Sequence, residues 1–178
     1  MIENKVAKSG LITLDLEMFR GKTPVHAFDL KDYLYMELIL REKDFREALQ
    51  NLDWEPYSDS VIAVYCSADA IIAHWAYMLV CSHAQAVGAK VLYGTPEQVK
   101  LIIMLQNVRA HDWSQYDGRK VLLKGCSHEE LDPSVYATAT QLLLPYADRL
   151  MYGEACSFVP VYRKPKEKKV RQDAQPAG

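Results

Sequence analysis

The stretch DWEPYSDSVIAVYCS, Asp53 to Ser67, returns further along the chain as DWSQYDGRKVLLKGCS, Asp112 to Ser127. Both read Asp-Trp-x-x-Tyr, then a polar turn, then an apolar run that ends in Cys-Ser. Asp53 and Asp112 stand 59 positions apart, and so do Tyr93-Gly94 and Tyr152-Gly153. The cysteines break step, because Cys66 follows Asp53 by 13 residues and Cys126 follows Asp112 by 14, a slip recovered before each Tyr-Gly. An ordered series of matches at one offset indicates an internal repeat. Its two copies span about residues 30–94 and 95–153.

Each copy alternates helical and strand patterns in the same order. SVIAVY (60–65) and KVLLKG (120–125) are continuous apolar runs, the pattern of a parallel strand buried on both faces. A helix is expected after each, over 69–88 and over 132–147, the second with Asp132 as cap and Pro133 behind it. KVLYG (90–94) and RLMYG (149–153) then read as further strands. Ahead of the first Asp-Trp, residues 28–52 carry Leu30, Leu34, Leu38, Phe45 and Leu49 at helical spacing. Ahead of the second, 95–111 opens with Thr95 as N-cap and Pro96 in the first turn.

Two tandem βαβ units predict an α/β three-layer sandwich with about four central, mainly parallel strands. The flanks LITLDLEMF (11–19) and FVPVYRK (158–164) have strand composition, and Pro160 confines the second to an edge. With 178 residues, 49% of them hydrophobic, the chain is expected to form one globular domain over 1–162. Residues 163–178 carry a net charge of +4, against −2 for the whole chain, and are too polar to offset the entropy of ordering. The remaining body is acidic, which argues against a nucleic-acid face. No secretory signal and no membrane-spanning stretch are read, so a cytoplasmic protein with reduced thiols is expected.

Cys66, Cys126 and Cys156 each follow a predicted strand and so belong to the carboxyl-end edge, where open α/β sheets bind ligands. Three thiolates suit zinc or an iron–sulfur cluster, with Asp69, Glu97, His128 and Glu154 as further candidate ligands. Two alternatives stand beside a metal. A helix start after Cys66, or His128 beside Cys126, would activate a thiol for sulfur transfer. Otherwise the cysteines are packing residues of a partner-binding scaffold. His74, Met78 and Cys81 share one face of an apolar helix and read as core, and Trp54 and Trp113 read as packing anchors. Phosphate-loop, dinucleotide, zincin and serine-hydrolase motifs are not found in the sequence.

The runs FDLKDYLYMELILREKDFREAL, VYCSADAIIAHWAYML, KGCS and MYGEACSFVPVYRK resemble an uncharacterised bacterial family known as domain of unknown function 2480. The resemblance reaches from NKVAKSGLITLDLE to VPVYRK. It implies no assigned activity and lends no residue a catalytic role. It does imply an association with iron–sulfur cluster assembly proteins as partners, which favours a cluster or a sulfur carrier over zinc.

Overall fold

The computed structural model describes residues 10–125 and 130–165. The chain folds as two compact α/β units, one comprising Phe19–Ala110 and the other Met1–Met18 with His111–Gly178. The first is called the inserted unit here and the second the host unit. No helix among the described residues is long and apolar enough to cross a membrane.

In the inserted unit three parallel strands, β2 (Val25–Asp29), β5 (Val61–Tyr65) and β6 (Lys90–Tyr93), form a sheet in the order β2-β5-β6. Four consecutive residues of β5, Val61 to Val64, are buried, as a strand covered on both faces requires. Ile62 and Val64 face Phe45 and Leu49 of α1 (Glu42–Asn51) and Ala76, Val80 and Ala84 of α2 (His74–Gln85). Val61 and Ala63 face the other way, onto Val99 and Ile103 of α3 (Pro96–Ala110). The result is a three-layer sandwich. Truncating a side chain as buried as Ile62 or Leu49 costs about 3 kcal/mol in such a core.

The host unit carries β1 (Leu11–Leu14), β7 (Lys120–Lys124), β8 (Arg149–Glu154) and β9 (Ser157–Arg163), ordered β1-β7-β8-β9. The first three are parallel and β9 returns antiparallel from a hairpin turn, so both flanking stretches contribute an edge strand, although in the first only Leu11–Leu14 is extended and Leu16–Phe19 is a 3₁₀ turn. Leu150 pairs with Tyr162 and Met151 with Pro160, which leaves Val161 unpaired in a bulge. Helix α4 (Pro133–Leu143) buries Val135, Ala139 and Leu143.

The strands expected in one central sheet are therefore divided between two sheets. Each buried central strand recruits its own parallel neighbour, β2 for β5 and β1 for β7, and a hydrophobic run does not reveal which neighbour it will take. The helix at 96–110, placed by the repeat boundary in the second copy, packs on the sheet of the first. Its start is as expected: Thr95 accepts from the Gln98 N–H and Gln98 accepts from the Thr95 N–H, a capping box.

The long helix expected over 28–52 is a correction. Only Glu42–Asn51 is helical, and what precedes it is β2, a 3₁₀ turn (Leu30–Tyr33) and a small hairpin of β3 (Leu34–Tyr35) and β4 (Ile39–Leu40). Met36 and Glu37 both adopt left-handed φ values, 50° and 59°, and close the hairpin by the Leu38 N–H to Tyr35 carbonyl bond. Two successive left-handed residues end any helix. On α2 the core face is Ala76, Val80 and Ala84, while His74, Met78 and Cys81 are exposed. A helix apolar nearly all round hides its buried face from periodicity, and the small alanines let it approach the sheet.

The repeat is closer in space than in sequence. β5 and β7, α2 and α4, and β6 and β8 all begin 59 positions apart. Both Asp-Trp-x-x-Tyr stretches form 3₁₀ turns, with Asp53 and Asp112 accepting from the N–H two residues on. The pairing of Leu11 with Lys120 and of Val25 with Val61 extends the correspondence to β1 and β2. It matches Asp15 with Asp29, and each of these closes its strand by accepting the N–H two residues on, from Glu17 and Lys31. Asp29 also accepts from the Ser67 N–H at 3.0 Å, tying the end of β2 to the end of β5.

Two outcomes are expected. Asp59 adopts φ 51° where the second copy has Gly118 at φ 66°. Asp59→Gly relieves a left-handed side-chain conformation and is expected to raise unfolding free energy by about 1 kcal/mol in urea titration. Partial burial pushes the Asp29 carboxyl up, but hydrogen bonds from Ser67 and Lys31 outweigh it and hold the group below its ordinary value. A depressed carboxyl stabilises the fold above its unfolded pKa, and that contribution is lost as pH falls through the folded one. Asp29→Ala should cost about 1 kcal/mol at neutral pH, and the gap from wild type should close with acidification in a series of thermal melts.

Candidate functional site

Both sheets end, on the carboxyl side of their strands, in the same framework with different chemistry. In the inserted unit the edge is made by Asp29 of β2, Tyr65 and Cys66 at the end of β5, and Tyr93 of β6. Burial raises the Tyr65 phenol, and the Asp29 and Glu97 carboxylates push it the same way. In the host unit the corresponding positions hold Asp15, Lys124, Gly125 and Tyr152. Lys124 donates to Asp15 at 2.8 Å, and this partner, with Glu154 and Glu17 nearby, holds the ammonium pKa above its ordinary value.

An aromatic pair is duplicated above each edge. Tyr77 of α2 meets Tyr93 with ring centroids 5.5 Å apart at 81°, and Tyr136 of α4 meets Tyr152 at 5.5 Å and 83°. These are edge-to-face contacts, in which the positive rim of one ring meets the negative face of the other. Burial raises the Tyr77 phenol, and Tyr93 and Cys66 add to the shift. The Tyr136 hydroxyl donates to the Lys124 carbonyl at 3.1 Å.

The two copies diverge beneath the tyrosines. Since β5 and β7 begin 59 positions apart, Cys66 corresponds to Gly125 and not to Cys126. Cys66 packs against the inserted unit's core and its thiol donates to the Ala68 carbonyl at 3.6 Å. At Gly125 a Cβ would stand 3.1 Å from the Tyr152 ring and 3.2 Å from its hydroxyl oxygen. The glycine thus leaves room for the ring, beside a cavity of about 500 Å³.

That cavity opens between α4 and the carboxyl ends of β7 and β8. Leu123, Leu131, Leu150 and Met151 supply its apolar wall, and Val161, from the bulge in β9, closes one side. Tyr136 and Tyr152 are its aromatic walls. Pro133 and Thr140 line the helix side, and Glu130 provides a carboxylate. Its volume lies in the range of small-molecule sites, and a mostly apolar lining with a few polar groups is their usual composition.

The cysteine candidates fall differently from the expected cluster. Cys66, half-buried, directly follows β5 in the inserted unit, while Cys156 is exposed in the turn from β8 to β9 of the host unit. Cys126 and His128 lie outside the described residues, as does the basic tail beyond Pro165. Glu97 is held low by hydrogen bonds from its own backbone N–H and from Thr95, so its carboxylate serves the start of α3. Asp69 is exposed in the loop after β5, and Glu154 ends β8. Among the described residues no group of three or more His, Cys, Asp or Glu side chains is gathered as for a metal ion. The helix expected directly after Cys66 begins only at His74, so no helix start adjoins this thiol.

Sequence reasoning matched Tyr93 with Tyr152 but passed over Tyr77 and Tyr136, which stand at the same 59-residue offset inside HWAYML and PSVYAT. It also missed the Asp-Leu common to ITLDLEMF and HAFDLKDY.

No curated protein and no solved structure matches the chain. The model of the family described as Protein of unknown function (DUF2480) matches residues 1–164, so the chain belongs to that family, as the resemblance implied.

Proposed function

We propose that the protein binds a small organic ligand in the host unit's cavity, at the carboxyl ends of β7 and β8. The observation that carries this reading is the cavity of about 500 Å³ with Gly125 beside the Tyr136–Tyr152 pair. Its position agrees with the general rule for open α/β sheets, in which ligands lie beyond the carboxyl ends of the strands. The comparison between copies adds to the support, because the inserted unit fills the position of Gly125 with the Cys66 side chain. The bulge that leaves Val161 unpaired is the kind of irregularity that re-aims a side chain toward a site.

Gly125→Cys transplants the inserted unit's residue into the cavity. Gly125 lacks a left-handed φ, so the substitution meets no φ strain there, but both the Tyr152 ring and the Gly153 Cα, 3.2 Å from the new Cβ, have to give by a few tenths of an ångström. Saturation-transfer NMR with a library of aromatic and aliphatic fragments should find binders to the wild type whose affinity falls about tenfold or more in the variant. Equal binding by a folded variant, checked by circular dichroism, would overturn the assignment to this cavity.

A second reading concerns the cysteines, as metal or iron–sulfur ligands or as sulfur-handling thiols accessory to cluster assembly. It draws on Cys66 and Cys156, which follow the carboxyl ends of β5 and β8, with the Cys156 thiol exposed. Protein purified without oxygen or chelators is expected, on this reading, to carry iron with acid-labile sulfide, or zinc. Cys66→Ser, Cys126→Ser and Cys156→Ser should each lower that content while Cys81→Ser leaves it unchanged. Protein still empty after reconstitution removes the metal reading.

A further inference from the structure

The charge pattern of the cavity narrows its ligand, and the following inference rests on the small-ligand reading above. We propose that the cavity takes an amine: an ammonium group held at Glu130 and against the tyrosine rings, attached to a flat apolar body that fills the space along Leu123, Leu150 and Val161.

Among the described lining residues Glu130 is the one side chain that is charged at neutral pH, and neither lysine nor arginine nor histidine stands among them. A cation is stabilised by a carboxylate and by the negative faces of aromatic rings. Both are present, and the perpendicular setting of Tyr136 and Tyr152 presents ring faces in two directions.

The opposite reading, an anion at the start of α4, is weaker on this structure. Pro133 lines the cavity and contributes no N–H, and the next free N–H, that of Ser134, already donates to the Asp132 carboxylate at 2.8 Å. Hydrogen bonds from Ser134 hold that carboxyl below its ordinary value, so the positive end of the helix is answered by a charge from its own cap. Lys124, the cation at the neighbouring strand end, is paired with Asp15.

Three isosteric probes separate the alternatives: tryptamine, tryptophol and indole-3-acetate share one ring system and differ in charge. Titrated against the full chain at pH 7 by saturation-transfer NMR, tryptamine should bind about tenfold more tightly than tryptophol, with indole-3-acetate weakest. In Glu130→Gln the tryptamine affinity should fall toward that of tryptophol, keeping only the smaller contribution of the tyrosine rings, and tryptophol should be unaffected. Glu130 is exposed, so the variant is expected to fold. Equal binding of amine and alcohol, or preference for the acid, overturns the amine assignment while leaving a small-ligand cavity in place. No binding of any of the three, together with no fragment sensitive to Gly125→Cys, overturns both.

Discussion

A parallel strand buried on both faces needs two things its own residues do not supply: a neighbour to pair with and a layer on each side. β5 and β7 are such strands, and the rest of the molecule answers their requirement. In the inserted unit α1 and α2 take one face and α3 the other, and the apolar run Val61 to Val64 is divided alternately between them. Because parallel neighbours cannot be joined by a tight turn, β5 reaches β6 through α2 and β7 reaches β8 through α4, and both helices begin beyond a carboxyl end. The same constraint that builds the core therefore gathers Asp29, Cys66 and Tyr93 on one edge, and Asp15, Gly125 and Tyr152 on the other.

How legible this was in the sequence depends on range. Local features were plain: Pro96 behind Thr95, Asp132 before Pro133, the edge position of Pro160 and the 59-residue period all appear in the fold as read. Pairing was not. VIAVY and KVLLK carry the same signal, and hydrophobicity states that a strand is buried without stating beside what. Leu30, Leu34 and Leu38 imitated a helix because a 3₁₀ turn and a short hairpin also return apolar residues every few positions. The cysteines were conspicuous because they are rare and adjoin serine in both copies. The tyrosines of α2 and α4 were inconspicuous because a single tyrosine in an apolar helix reads as packing.

The two copies show how one framework admits different edges. An Asp closes the first strand in each, a 3₁₀ turn introduces the second, and a pair of tyrosines crosses above it. What differs is small. A thiol in one copy is a hydrogen in the other, and a tyrosine at 65 is a lysine at 124. With the structural positions held in common, such differences fall on what the edge can receive rather than on whether the sheet forms, which is how a repeated unit acquires separate roles.

The discontinuity of the host unit carries a consequence for the order in which the protein is made. β1 is translated before the inserted unit, yet its partner β7 lies beyond the whole of that unit, with Leu11 paired to Lys120. During synthesis the inserted unit, whose strands and helices are contiguous, completes its sheet while β1 waits as an unpaired apolar segment. Asn107 donates to the Phe19 carbonyl at 2.9 Å, so the folded insert holds its two ends together, and closing the loop then costs less entropy than it would across an open chain of the same length. A strand translated ahead of the insert is thus paired only after it, and the emerging chain must keep β1 from other strand edges until then.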